Sequence, residues 1–127
     1  MSHQATPRGQ LAIRIIAMPA DTNANGDIFG GWLVSNMDLA ASSEARRRAQ
    51  SRVVTVAINA LTFIRPVSVG DIVCCYADII KIGRTSMQIH VEVWTMHIKH
   101  SDRVKVAEGI FTFVAVDENG KPQPVDH

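Results

Sequence analysis

From Gly30 onward the apolar residues Trp32, Leu33, Val34, Met37, Leu39, Ala40, Ala41 and Ala45 fall nearly all round a helix for about three turns. A helix apolar on every side is expected to be buried. Arg46, Arg47 and Arg48 then arrive together and suit a C-terminal end emerging into water, with Ser51 close behind. Ahead of the helix, residues 11–18 are mostly apolar and predict a short first strand that Pro19 ends. Residues 20–29 are rich in Asn, Asp and Gly, which make turns and tolerate positive φ, so they predict a structured loop.

After the helix the period changes. Residues 53–64 are β-rich and stop at Pro66, and Gly70-Asp71 makes a turn into a second run over residues 72–82. Gly83-Arg84 turns into residues 85–98, where Met87, Ile89, Val91 and Val93 alternate with Gln88, His90 and Glu92. The phase slips near Trp94-Thr95, where a bulge is expected. A polar turn over residues 100–103 leads into the last strand, residues 104–116, closed at Asn119-Gly120. Short connections imply antiparallel neighbours. One apolar helix and four long strands predict an α+β domain with the sheet curled around the helix.

Composition adds limits. The 127 residues, 46% hydrophobic, fit one domain with a small core, expected to gain further burial by associating with copies of itself. A formal charge of +1 gives no field for nucleic acid or a membrane surface, and no apolar run reaches the roughly 20 residues of a membrane span. The polar start, residues 1–10, has no signal-peptide stretch, so a cytoplasmic setting is expected. Cys74 and Cys75 adjoin within a strand and point to opposite faces, which favours two reduced, semi-buried thiols.

Two features carry candidate chemistry. Asp38 sits between Met37 and Leu39, two helical turns after Gly31 and on roughly the same face. A carboxylate there is costly unless it is hydrogen-bonded, paired or facing a cleft, and the pattern alone leaves structural and catalytic roles equally open. The run Asn25-Gly26-Asp27-Ile28-Phe29-Gly30-Gly31 opens the helix. Its first-turn N–H groups lack helical partners and can donate to developing negative charge; an ordinary glycine-rich start, with Asp27 as cap, is the competing reading. His97 and His100 have no ligand spacing that completes a metal site. His90 lies on the polar parity of its strand. Nucleophile elbow, P-loop and dinucleotide motifs are all missing.

The run AMPADTNANGDIFGGW at 17–32, followed by Met37-Asp38, closely resembles the YciA-type acyl-CoA thioester hydrolases. So do FIRPVSVGDIVCCY at 63–76, GRTS at 83–86, VEVW at 91–94 and FTFVAVD at 111–117. The resemblance covers residues 11–120, so residues 1–10 are expected to be a flexible start and 121–127 a short tail. It implies a hotdog fold, a long helix wrapped by a curved antiparallel sheet, paired into a double-hotdog dimer with active sites at the dimer interface. Trimers of such dimers, hexamers, are implied as well. By the same resemblance Asp38 acts as general base or nucleophile, and Gly30-Gly31 polarise the thioester carbonyl. Asn23 and Asp27 shape the loop, and Thr85 and Ser86 flank the pantetheine arm. Arg84, and less directly Arg65, meet the nucleotide phosphates. No cofactor or metal is implied, coenzyme A being part of the substrate.

The tail stops soon after Asn119-Gly120, where longer family members continue, so any coenzyme A contact from such a tail is expected to be missing. A hotdog dehydratase would need a His, and residues 19–51 contain none. A non-catalytic acyl-CoA sensor is the remaining alternative, although no DNA-binding segment fits in the chain. Acyl preference is not readable; Trp32, Met37 and Phe63 are candidate lining residues.

Overall fold

A computed structural model describes residues 6–97, 99 and 102–127. The chain forms β1 (Gln10–Ile16), a 3-10 turn (Pro19–Asp21), α1 (Gly30–Ala49), β2 (Arg52–Phe63), β3 (Ile72–Ile82), β4 (Ser86–Met96) and β5 (Arg103–Val116). The strands make one antiparallel sheet in the order β1-β3-β4-β5-β2. The helix lies on one face of it and touches all five strands, which gives the hotdog arrangement.

Periodicity explains the packing. Met87, Ile89, Val91 and Val93 are all fully buried against the helix, beside Phe111 and Phe113 of β5. The phase slip in β4 is real: its register with β5 shifts between Val93 and Trp94. His97 follows the strand; Ile98, His100 and Ser101 lie outside the described residues, as do residues 1–5. Pro19 does more than end β1, since it opens the 3-10 turn. Cys74 and Cys75 are both free and buried, Cys75 fully so. Burial, reinforced by Cys74, pushes the Cys75 thiol up to about 12, which leaves it an inert core group.

Two expectations need correction. The helix is not buried on every side: Gly31, Ser35, Leu39 and Ser43 form an exposed stripe, with Leu39 57% exposed. β2 is a sheet edge, and Val54, Val56, Ile58 and Phe63 are exposed along it. An apolar residue on the helix reads the same whether its neighbour belongs to its own core or to a second surface. β2 also carries two register shifts, with Ala60 at φ +52 inside the second, so the strand bends as a bulged edge does.

The two ends of the chain are fastened to the sheet. Arg8 N–H donates to Glu92 Oε1 at 3.1 Å, and the Arg8 guanidinium meets Asp78 at 2.6 Å. At the other terminus Val125 is buried and its N–H bonds the Arg84 carbonyl at 2.8 Å.

Candidate active site

The helix start is shaped by its loop. Asn23 Oδ1 accepts from the backbone N–H of Asn25 and of Asp27, at 2.9 and 3.2 Å, and Asn23 N–H bonds the Asp27 carbonyl at 2.7 Å. Gly26, at φ +83, takes the left-handed bend this loop requires. Asp27 is therefore a loop residue and not the cap. The N-cap position is Phe29, whose side chain caps nothing, so the first-turn N–H groups are left without a side-chain partner. Asn23, Asp27, Gly30, Phe63 and Arg65 line a cavity of about 410 Å³ at this helix start. A Cβ on Gly30 would lie 3.2 Å from Phe63 Cζ, and one on Gly31 would lie 3.3 Å from the Phe29 ring. Two aromatic rings thus rest on the glycine backbone, and the absence of side chains is what lets them.

Asp38 lies farther along the same helix, half-buried beside β2. Thr55 Oγ1 donates to Asp38 Oδ1 at 2.7 Å. Thr55 was not singled out in the sequence: it is an ordinary polar residue of a strand, 17 positions away, and only the packing of helix on strand brings the pair together. From Gly31 to Asp38 is seven residues, about 10 Å along the axis. The carboxylate and the free N–H groups therefore belong to separate parts of one helix.

The structure splits the remaining candidates. Asn23, Asp27, Gly30 and Arg65 share the cavity, with Gly31 next in the chain. Arg84, Thr85 and Ser86 of the same chain do not join them. Ser86 pairs with Val114, whereas Met96, ten residues on along β4, pairs with Arg103. That spacing puts the two ends about 33 Å apart along the strand. Arg84 sits at the C-terminal end of the helix, near the Arg48–Asp126 ion pair.

On the sheet face away from the helix, His90, Glu92 and Glu108 bring ligand atoms within 4.8 Å of one another. The Lys105 ammonium already stands among them, 3.3 Å from Glu92 Oε2 and paired with Glu108. Burial by itself would push Glu92 up. The Trp94 indole N–H at 2.9 Å, the Arg8 N–H and the Lys105 ammonium outweigh it and hold the carboxyl below its usual range. Burial likewise works against the charged Lys105, but Glu108 and Glu92 hold it above the usual lysine value. Lys105 thus bridges the two carboxylates, whereas the buried His90 Nδ1 makes no hydrogen bond among the described residues and lies 3.9 Å from Glu92 Oε2.

Comparison with known proteins locates this arrangement. The family described as Thioesterase superfamily matches residues 25–99. The acyl-CoA thioester hydrolase YciA of Salmonella typhimurium is 53% identical over 123 residues, covering 94% of this chain and 92% of that one. Among solved structures, a hexameric thioesterase from Yersinia pestis is similar at 52% identity and TM-score 0.92, covering 96% of this chain and 99% of that chain. A hexameric broad-specificity acyl-coenzyme A thioesterase, crystallised with an aspartate changed to alanine, is similar at 48% identity and TM-score 0.91, covering 94% and 88%. With the hotdog sheet and the loop–glycine–helix motif in place, the chain belongs to the YciA-type acyl-CoA thioester hydrolases of the thioesterase superfamily.

Proposed function

We propose that the chain hydrolyses acyl-CoA thioesters to coenzyme A and a carboxylic acid, at a site completed by a second copy of itself. The observation that carries this is the separation of Asp38 from the glycine helix start on one helix, with both beside the exposed edge strand β2. A carboxylate about 10 Å from the carbonyl-binding N–H groups cannot serve a carbonyl held there. Two copies joined through antiparallel β2 strands would bring the Asp38 of one toward the helix start of the other. Exposed Val54, Val56, Ile58 and Leu39 supply apolar surface for such a pair. The hexameric relatives support a trimer of these dimers.

In this mechanism the carbonyl oxygen rests on the Gly31 backbone N–H, helped by the positive end of the helix. Asn23 uses its Oδ1 to hold the loop, which leaves its amide NH₂ as a second donor. Asp38, fixed through Oδ1 by Thr55, takes a proton from water as general base. The water oxygen bonds to the carbonyl carbon, the C–S bond breaks, and the proton passes to the leaving thiolate. Attack by Asp38 itself, giving an anhydride that water then opens, is the other role open to the same carboxylate. Either route uses only these groups and water, so no cofactor enters.

A cytoplasmic setting belongs to the same proposal, supported by the two reduced cysteines. No helix among the described residues is long and apolar enough to cross a membrane. The test is release of free thiol from a series of acyl-CoA substrates by the purified protein. Asp38→Ala should abolish most of it; full turnover by that variant would overturn the assignment.

A further inference from the structure

β4 and β5 turn three ligand-bearing side chains to the sheet face away from the helix. Glu92 and Glu108 stand directly opposite each other in the register of the two strands, and His90 lies two residues before Glu92, so all three share a face. One ligand atom from each lies within 4.8 Å of the other two. Like charges facing each other across a ladder repel unless a cation stands between them.

Lys105 is that cation, a single positive charge between two carboxylates. The neighbouring pair offers no more: Asp78, opposite His90 in the register of β3, holds the Arg8 guanidinium. One negative charge is left over, beside an imidazole nitrogen that is buried and makes no hydrogen bond among the described residues. His90 Nδ1 lies 3.9 Å from Glu92 Oε2, about half an ångström beyond the spacing that two ligands of one tetrahedral zinc ion keep. Glu92 is already oriented for such a role. Its Oε1 takes the Trp94 indole N–H at 2.9 Å and the Arg8 N–H at 3.1 Å, which leaves Oε2 for His90 and Lys105. The Lys105 side chain is 30% exposed and its stem can swing the ammonium into water.

We infer that His90 Nδ1, Glu92 Oε2 and the Glu108 carboxylate form a site for one divalent transition-metal ion of the zinc class, which takes the place of the Lys105 ammonium. An imidazole with two carboxylates suits zinc or cobalt, with water as the fourth ligand, whereas magnesium and calcium prefer oxygen alone. Two positive charges match the two carboxylates, and Lys105 turns outward. The hold of Arg8 on Glu92 survives, because it uses the other oxygen. The ion ties β4 to β5 on the face opposite the helix and takes no part in the chemistry at the helix start.

The test is calorimetry of zinc chloride on tag-free protein previously treated with EDTA and desalted. One ion per chain should bind, and magnesium chloride should give no binding. His90→Gln should weaken zinc binding more than about tenfold, and Trp94→Phe about tenfold, through the lost orientation of Glu92. Lys105→Met should tighten it about tenfold or more, because the competing charge is gone. Thermal unfolding gives a second reading should a variant fold poorly: zinc should raise the Tm of the unaltered protein and leave that of His90→Gln unmoved. No zinc binding by the unaltered protein, equal binding or an equal Tm rise in His90→Gln, or binding no tighter in folded Lys105→Met would each overturn the inference. No acyl-CoA enters any of these measurements, so their outcome is independent of the hydrolase reading.

Discussion

Thr55 Oγ1 donates a 2.7 Å hydrogen bond to Asp38 Oδ1, tying the middle of the helix to the start of the edge strand. The bond holds a half-exposed carboxylate and commits one of its oxygens, leaving the other for the proton transfer proposed above. Replacing Asp38 by Asn keeps the shape and removes the base; kcat should fall about 10²–10⁴-fold. Thr55→Ala should cost about tenfold in kcat with KM unchanged, and Thr55→Ser should restore most of it. Steady-state thiol release on the three variants checks this. A loss shared equally between kcat and stability would mean that Thr55 is merely structural.

Gly30 and Phe63 give a second, coupled prediction. A methyl at position 30 presses on the Phe63 ring at 3.2 Å, so Gly30→Ala should displace the ring over the helix start and lower kcat/KM. Phe63 is half-exposed and can yield, so the fold should survive. Adding Phe63→Leu should recover part of the loss, and the double-mutant cycle reads the coupling directly.

The charge cluster on the outer sheet face predicts a pH dependence. Glu92 is held below its usual value, so its stabilisation is complete above the ordinary carboxylate range and is lost as pH falls through the lowered value. Lys105 is held above its usual value, so its share is complete below the ordinary lysine range and is lost as pH rises through the raised one. Between these limits Glu92→Gln should be less stable than the unaltered protein by about 1–3 kcal/mol. The difference should shrink in acid. Denaturant unfolding of both proteins from about pH 3 to 9 measures it.

Assembly is the fourth point of test. A charge placed on the exposed edge, as in Val56→Asp, should hold the chain as a monomer, and with it should go nearly all hydrolysis, although no proposed site residue has changed. Light scattering and thiol release on one sample decide it. An active monomer would mean that Asp38 reaches its substrate within one chain.

Much of this fold is legible in the residues because a strand packed on a helix alternates. β4 follows its period-two pattern to the bulge at Trp94, and β3 spans the same residues as the run that predicts it. Asp38 is legible for the opposite reason, as a charge in an apolar stretch. What the sequence hides is tertiary. Leu39 and Val56 look like core and lie on open surface, since hydrophobicity does not say whose core a residue joins. Thr55 has nothing unusual about its local sequence; its partner Asp38 comes from another element. Arg65 and Arg84 look alike as phosphate candidates, and only the strand register shows that they stand at opposite ends of the sheet.

The open edge of β2 also bears on the life of the chain before it has met a copy of itself. Twelve residues of strand paired only on the β5 side, with exposed Val54, Val56 and Ile58, are a template for any other extended segment. A newly made copy is therefore aggregation-prone until that edge is covered. Yield on expression should depend on how fast copies find one another, and variants that weaken the pairing without placing a charge on that edge should surface first as insoluble protein, unlike Val56→Asp, whose charge guards the edge.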